Sequence, residues 1–362
     1  MTKTSSGNFF EDFRLGMELF HPVPRTVTTG DAALYAALYG TRFAIQSSDE
    51  FARNCGLPKS PLDTLLLFHV IFGRTVGDIS LNAVANLGYA ECRWLNACYP
   101  GDSFTARSVV IGLRENSGGE TGIVYVRSTG YDQRGTPVLS FVRWVMVRKR
   151  DFSARTPDTL VPELSPQVSS GELSVPDGLS FSDYNDAQSG SPFLLEDYDV
   201  GEKIDHVDGM TIEEAEHQIA TRLYQNTARG HFDAVLQHAS RYGRRLIYGG
   251  HIISVARALS FNGIANGGFV AAINGGRHVN PAFAGDTIYC WSEILDKAAC
   301  PGRADVGAIR VRTIATKNVS CGDFPSEGSA HKGDGTGIVL DLDYWLLLPT
   351  TAARKSERTL SH

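Results

Sequence analysis

The segment LYQNTARGHFDAVLQHASRYGRRLIYGGH, residues 223–251, gathers side chains that could do chemistry at short range. His231 could give and take protons near neutral pH, because the ordinary pKa of an imidazole lies there. Asn226, five positions earlier, cannot share a proton as a carboxylate does, but its carbonyl or NH2 group could hold and orient a water. Asp233 could orient the imidazole or simply open a helix. Arg241, Arg244 and Arg245 offer guanidinium forks that suit phosphate oxygens, or a solvated surface. Three readings follow: the remnant of a catalytic dyad, a working site with an unusual member, or a loop between two helices. A metal site from His231, Asp233 and His238 has the residue types, but its spacing fits no standard ligand pattern.

The elements that must position these residues come in two copies. FFEDFRLGMELFH near the start returns as FLLEDYDVGEKIDH after residue 192, matching Glu11, Asp12 and Gly16 with Glu196, Asp197 and Gly201. The same frame matches Tyr39 with Tyr224. After a one-residue slip it matches Arg93, Asn96, Gly101 and Asp102 with Arg277, Asn280, Gly285 and Asp286. The chain therefore reads as a first unit over 1–150, a Pro-, Ser-, Gly- and Asp-rich linker over 151–192 laid across the surface, a second unit over 193–350, and a tail over 351–362.

In the second unit, TIEEAEHQIATRLY predicts a short helix capped through Thr211 and Glu214, with Ala215, Ile219 and Leu223 on its apolar stripe, ending before Asn226. HIISVARALSF, apolar on most faces, predicts a helix wrapped by other structure and stopped at Asn262–Gly263. In the first unit, Leu65–Phe72 reads as a buried helix or strand interrupted by His69. Strand patterns close each unit, as where Leu340, Leu342 and Tyr344 alternate with Asp341 and Asp343. The stretch VSCGDFPSEGSAHKGDGTG, residues 319–337, reads as a mobile loop or a ligand lid. Helix, loop, central helix and antiparallel sheet, in that order, make an α+β protein.

The totals exclude several classes. A length of 362 residues suits two domains, and 42 % hydrophobic with 20 % charged residues is ordinary for a globular chain. A net charge of -6 argues against non-specific nucleic-acid binding, so a polyanionic ligand would need local cations. Six cysteines without CxxC spacing, and a start lacking the apolar core of a secretory signal, suggest reduced thiols in a cytoplasmic protein. No apolar run is long enough to span a bilayer. No GxGxxG, Walker-type or GxSxG motif appears, so nucleotide-driven and serine-hydrolase chemistry have no support.

With Asn226, His231, Asp233 and Gly250 in one frame, the chain resembles the MaoC-type hydratases, which carry an Asp-x4-His signature on an overhanging loop and a Gly that opens the central helix. That resemblance implies a double hot-dog fold, two tandem copies of a long central helix wrapped by a curled antiparallel sheet. It also implies an acyl-CoA substrate, and neither metal nor redox cofactor. The phrases YQNTARGHFD and FFEDFRLG narrow the expectation to a hydro-lyase that reversibly hydrates mesaconyl-CoA to β-methylmalyl-CoA. His231 would be the acid/base, Asn226 would position the water, and the Gly250 amide would donate to the developing enolate oxygen. In the first unit Thr41 and Gln46 replace the signature pair, so that unit should be catalytically silent. Arg229 or Arg42 would meet the free carboxylate of a dicarboxylic acyl group, and the cluster at 241–245 the CoA phosphates. The rivals are an (R)-specific hydratase for straight-chain enoyl-CoA, with an apolar pocket and no buried arginine, a thioesterase, and a non-catalytic acyl-CoA binder. Since duplication supplies the pairing of hot dogs inside one chain, a homodimer is optional.

Overall fold

The computed structural model describes residues 3–154, 159–326 and 337–353. Its strands are β1 (Glu18–Thr26), β2 (Ala83–Trp94), β3 (Ser103–Glu115), β4 (Thr121–Tyr131), β5 (Pro137–Arg148), β6 (Lys203–Asp205), β7 (Met210–Thr211), β8 (Phe269–His278), β9 (Thr287–Ala299), β10 (Val306–Lys317) and β11 (Gly337–Pro349). The helices are α1 (Thr29–Tyr39), α2 (Ala44–Ser47), α3 (Asp49–Asn54), α4 (Thr64–Ile79), α5 (Asp186–Ser189), α6 (Glu214–Leu223), α7 (Arg229–Phe232), α8 (Ala234–His238), α9 (Gly249–Leu259) and α10 (Phe261–Ile264).

All the strands join one antiparallel sheet in the order β1-β3-β4-β5-β2-β8-β11-β10-β9-β6, with β7 paired to β9. Read outward from its middle, the order is the same in both directions: β2, β5, β4, β3, β1 on one side and β8, β11, β10, β9, β6 on the other. The halves meet where β2 pairs with β8, Tyr89 opposite Gly276 and Cys92 opposite Ile273. Each half curls around one central helix. Nearly every residue of α4 is buried, as a helix apolar on all faces must be, and the same holds for α9.

The copies repeat at the level of single hydrogen bonds. Asp12 Oδ2 accepts from the Phe9 N–H at 2.9 Å and Asp197 Oδ2 from the Leu194 N–H at 2.8 Å. Asp102 and Asp286 close the same turn before β3 and β9, accepting from the Tyr99 and Phe283 N–H groups at 2.8 and 2.9 Å. A short polar side chain that satisfies a loop N–H is hard to replace, which is why these acids stand in both copies.

Some local expectations are corrected. Thr211 lies in β7, its hydroxyl 2.8 Å from that of Thr287, and Glu213 is the cap residue of α6 without a side-chain bond, so the box with Glu214 does not form. The buried face of α6 is His217, Gln218, Ala220, Thr221 and Leu223, whereas Ala215 is exposed and Ile219 is 41 % exposed. A polar helix face is buried here because it looks into the site and not into an apolar core. The central helix α9 ends at Leu259, and Asn262–Gly263 forms a kink inside the next turn. The segment between the halves packs Val168, Leu173, Leu179 and Phe181 into an apolar cluster with Phe51, Phe269 and Trp345. The Trp345 indole donates to the Val168 carbonyl at 3.1 Å. Most of the expected loop or lid at 319–337 lies outside the described residues, as does the tail beyond 353.

Candidate active site

Helix α6 is capped at its C-terminal end by Tyr224, and Gln225 takes a left-handed conformation, φ +53°. That backbone is costly for a residue with a Cβ, and the Arg74 guanidinium holds the Gln225 side chain. The loop beyond it presses on α4, where a Cβ at Gly73 would lie 2.0 Å from the Tyr224 carbonyl oxygen. Only glycine lets the helix of the first half come this close to the loop of the second.

Asn226 is buried, and its Oδ1 accepts from the Ala228 N–H at 3.1 Å. The carbonyl end of the amide therefore shapes the loop, and the NH2 end is the one left for a ligand or a water. His231 lies in the short α7. Its Nδ1–H donates to the Leu246 carbonyl at 2.9 Å, and since a carbonyl only accepts, Nε2 carries the lone pair. The backbone oxygen of His231 accepts from the Gln218 amide at 2.5 Å. Burial lowers the His231 pKa, partly offset by the Leu246 carbonyl, so the neutral base is the resting form at neutral pH.

Asp233 caps α8, accepting from the Leu236 N–H at 2.9 Å. Its counterpart in the first half, Ser48, caps α3 through the Phe51 N–H in the same way. Orienting the imidazole, the other role considered for Asp233, falls to Leu246. His231, Asp233 and His238 do not converge, and among the described residues no three His, Cys, Asp or Glu side chains are grouped to hold a metal.

The ring of His231 packs edge-on against His217 and Tyr248, with centroids 5.8 and 5.6 Å away. Tyr248 precedes the central helix α9, where its side chain makes no cap bond and its N–H donates to His217 Nε2 at 2.9 Å. The N–H groups of Gly249 and Gly250 have no acceptor among the described residues, as expected of the uncapped start of a helix. A Cβ at Gly250 would lie 2.5 Å from the rings of His69 and Tyr248, so these rings pack against the helix start only because the residue is glycine. In the first half Asp63 stands where Tyr248 does, and its carboxylate accepts from the Leu65 N–H at 2.8 Å, the counterpart of the Gly250 N–H. Gln46, in place of His231, donates to the Gly268 carbonyl at 2.7 Å. At these positions the first half thus has an amide in place of the imidazole and a filled N–H in place of the open one.

The expected cations disperse. Arg245 pairs with Glu214 at 2.5 Å, Arg241 lies on Tyr242 at 4.4 Å, and Arg244 on Phe283 at 3.8 Å. Arg229 is exposed, and Arg42 stacks on Phe261 at 4.5 Å, in the loop of the first half. Several residues of the site were not singled out from sequence. They are His217, His278, Tyr248 and, from the first half, His69 and Tyr89. His69 Nε2 lies 2.9 Å from Ser254 Oγ and its Nδ1 3.2 Å from the Tyr248 hydroxyl. A lone histidine inside an apolar helical run was the one available signal.

Two hot-dog halves, one keeping a histidine beside an uncapped helix start and one having lost both features, define a MaoC-like double hot-dog protein. Residues 1–323 match the family model described as mesaconyl-CoA hydratase. The chain is 59 % identical over 347 residues to a β-methylmalyl-CoA dehydratase of Chloroflexus aurantiacus, covering 96 % of this chain and 98 % of the relative. It is 57 % identical over 350 residues to a mesaconyl-CoA hydratase of Cereibacter sphaeroides, covering 96 % and 99 %. A solved MaoC domain dehydratase from Chloroflexus aurantiacus superposes with a TM-score of 0.93 at 58 % identity, over 97 % of this chain and 99 % of that one. A Mycobacterium tuberculosis protein described as a double hot-dog fold shares the architecture, TM-score 0.71 at 23 % identity, covering 95 % of this chain and 99 % of that one. The chain belongs to the mesaconyl-CoA hydratase family.

Proposed function

We propose that the protein is a hydro-lyase that reversibly adds water to mesaconyl-CoA to give β-methylmalyl-CoA. The observation that carries the reading is the free Nε2 of His231 beside the uncapped start of α9, in a chain 57 to 59 % identical to proteins named for this reaction. In hydration, His231 Nε2 takes a proton from water as the water oxygen bonds to the β-carbon of the enoyl thioester. The π electrons move onto the thioester oxygen, and the Gly250 N–H stabilises the charge that develops there. The imidazolium then returns the proton at the α-carbon, and the charge on oxygen flows back as the carbonyl re-forms. The NH2 group of Asn226 donates to the water oxygen and leaves its hydrogens to the imidazole. Arg241 and Arg244 meet the CoA phosphates at the rim.

The test is to incubate the protein with mesaconyl-CoA and with crotonyl-CoA, following enoyl-thioester absorbance and free thiol together. Loss of absorbance on mesaconyl-CoA without thiol release is expected. Thiol release would make the protein a thioesterase, and tight binding without turnover would make it a carrier.

A further inference from the structure

The side chain of Arg143 on β5 is 0 % exposed and has no carboxylate partner among the described residues. Among the described residues its guanidinium donates only to hydroxyls, Thr75 at 2.8 Å and Ser80 at 3.4 Å, and it rests on the Phe72 ring at 4.1 Å. The Nε–H is buried and makes no hydrogen bond. Buried charges are ordinarily paired, because an ion removed from water loses its hydration and needs a partner to replace it. The neighbouring imidazoles carry no charge of either sign at neutral pH, since burial pushes His69 down to about 3 and His278 to about 4. A positive charge is thus held in the interior with no anion among the described residues to meet it.

Its surroundings lead to the site. Arg143 pairs across the sheet with Tyr89, and Tyr89 with Gly276 of the other half. The Tyr89 hydroxyl lies 3.3 Å from Nε2 of His278, and a Cβ at Gly249 would lie 2.4 Å from that imidazole. On the other side Phe72, under the guanidinium, packs 5.7 Å from Tyr248, which touches His231. The hydroxyls of Tyr89 and Tyr248 are held by contacts of 3.3 and 3.2 Å to neutral imidazoles, long bonds that a charged ligand group can replace.

We propose that Arg143, supplied by the half without the histidine, is the anchor for the free carboxylate of a dicarboxylic acyl-CoA and selects it over monocarboxylic acyl-CoA. This rests on the hydratase reading above, and it replaces Arg229 and Arg42 in that role. An arginine fork fits a carboxylate bidentately, whereas a methyl group placed there would leave the charge unpaired.

The experiment compares binding of two unreactive ligands, succinyl-CoA and butyryl-CoA, to the whole protein and to Arg143→Met and Arg143→Lys, alongside turnover of mesaconyl-CoA. The wild type should prefer succinyl-CoA by about 10²-fold or more. Arg143→Met should abolish that preference while binding butyryl-CoA at least as well. Arg143→Lys should retain part of it. His231→Gln should keep the preference and lose turnover. Because the arginine has no acidic partner to strand, Arg143→Met should melt no lower than the wild type. An unchanged preference in Arg143→Met, equal losses on both ligands, or no preference in the wild type would each overturn the assignment. Absence of mesaconyl-CoA turnover with the preference intact would instead overturn the hydratase reading alone.

Discussion

At His231 the direction of one hydrogen bond sets what the ring can do. Because Nδ1–H is given to Leu246, Nε2 is a base in the resting protein, and burial keeps it unprotonated to lower pH than a free imidazole. His231→Gln should therefore cut kcat for hydration by about 10² to 10⁴ with binding little changed, measured by steady-state absorbance on mesaconyl-CoA. In the wild type, kcat/KM should fall only as pH drops below about 6.5, through the lowered pKa of this base. An acid limb above that value would place the essential base elsewhere. At Asn226 the two ends of the amide are separable. Asn226→Asp keeps the acceptor for the Ala228 N–H, whereas Asn226→Ala loses both the turn and the water donor. The alanine variant should turn over about 10²-fold more slowly than wild type, and unaltered turnover would discard the water-holding role. The positions of these two residues were legible in the sequence because they sit at fixed spacing within one loop. What each side chain touches was not, since Leu246 and Ala228 enter through backbone atoms that carry no residue-type signal. Arg143 left a trace of another kind. It falls on the inward face of β5 between Phe141 and Val145, a period-two position where a charged residue is out of place unless it has work there.

The two central helices differ at their starts more than along their lengths. An aspartate before α4 fills the N–H that corresponds to Gly250, and a tyrosine before α9 leaves that N–H open. A helix start offers a ligand its positive end only when no side chain has taken it first. The sequence repeat makes this comparison readable residue by residue, Asp63 against Tyr248 and Leu65 against Gly250, once the helix starts are known. It did not reveal that the face of α6 nearest the site is polar, because a stripe such as Ala215 and Ile219 is indistinguishable from a core stripe until the partner surface is seen. The Gly250→Ala variant tests the element directly. Its methyl would lie 2.5 Å from His69 and Tyr248, so either the rings shift or the helix start retreats. We expect a loss of stability of about 1 to 3 kcal/mol in urea unfolding, and a drop in kcat on the order of 10²-fold at temperatures where the variant is still folded. Full activity in a folded Gly250→Ala would mean that the thioester oxygen is held by some other donor.

Across the whole molecule, the half without the histidine is built into the candidate site. His69, Gly73 and Tyr89 come from it, brought to the loop of the second half by the β2–β8 seam. Such long-range contacts depend on strand register, which no local pattern encodes, and so Arg42 was the one residue of the first half expected to meet the substrate. Histidines are buried at several places in the interior. Burial pushes His69 and His251 down to about 3, His217 to about 2, and His206 and His278 to about 4. Each folded-state pKa lies below the ordinary value near 6.5, so the unfolded chain binds protons that the folded chain refuses once the pH falls under that value. Their contribution is intact above about 6.5 and is lost progressively as the pH falls toward the folded values. Each group contributes a slope of about 1.4 kcal/mol per pH unit in that window, against a total stability of roughly 5 to 15 kcal/mol for a typical domain. Several titrating together should therefore unfold the protein between about pH 5 and 4, well before its carboxylates are all protonated. Urea midpoints followed by tryptophan fluorescence from pH 7.5 downward should fall with a slope of several protons, and His69→Asn should reduce that slope by about one. A midpoint that stays level to pH 5 would mean that these imidazoles reach solvent and charge in place, and the dry, neutral surroundings described for the site would have to be abandoned with it.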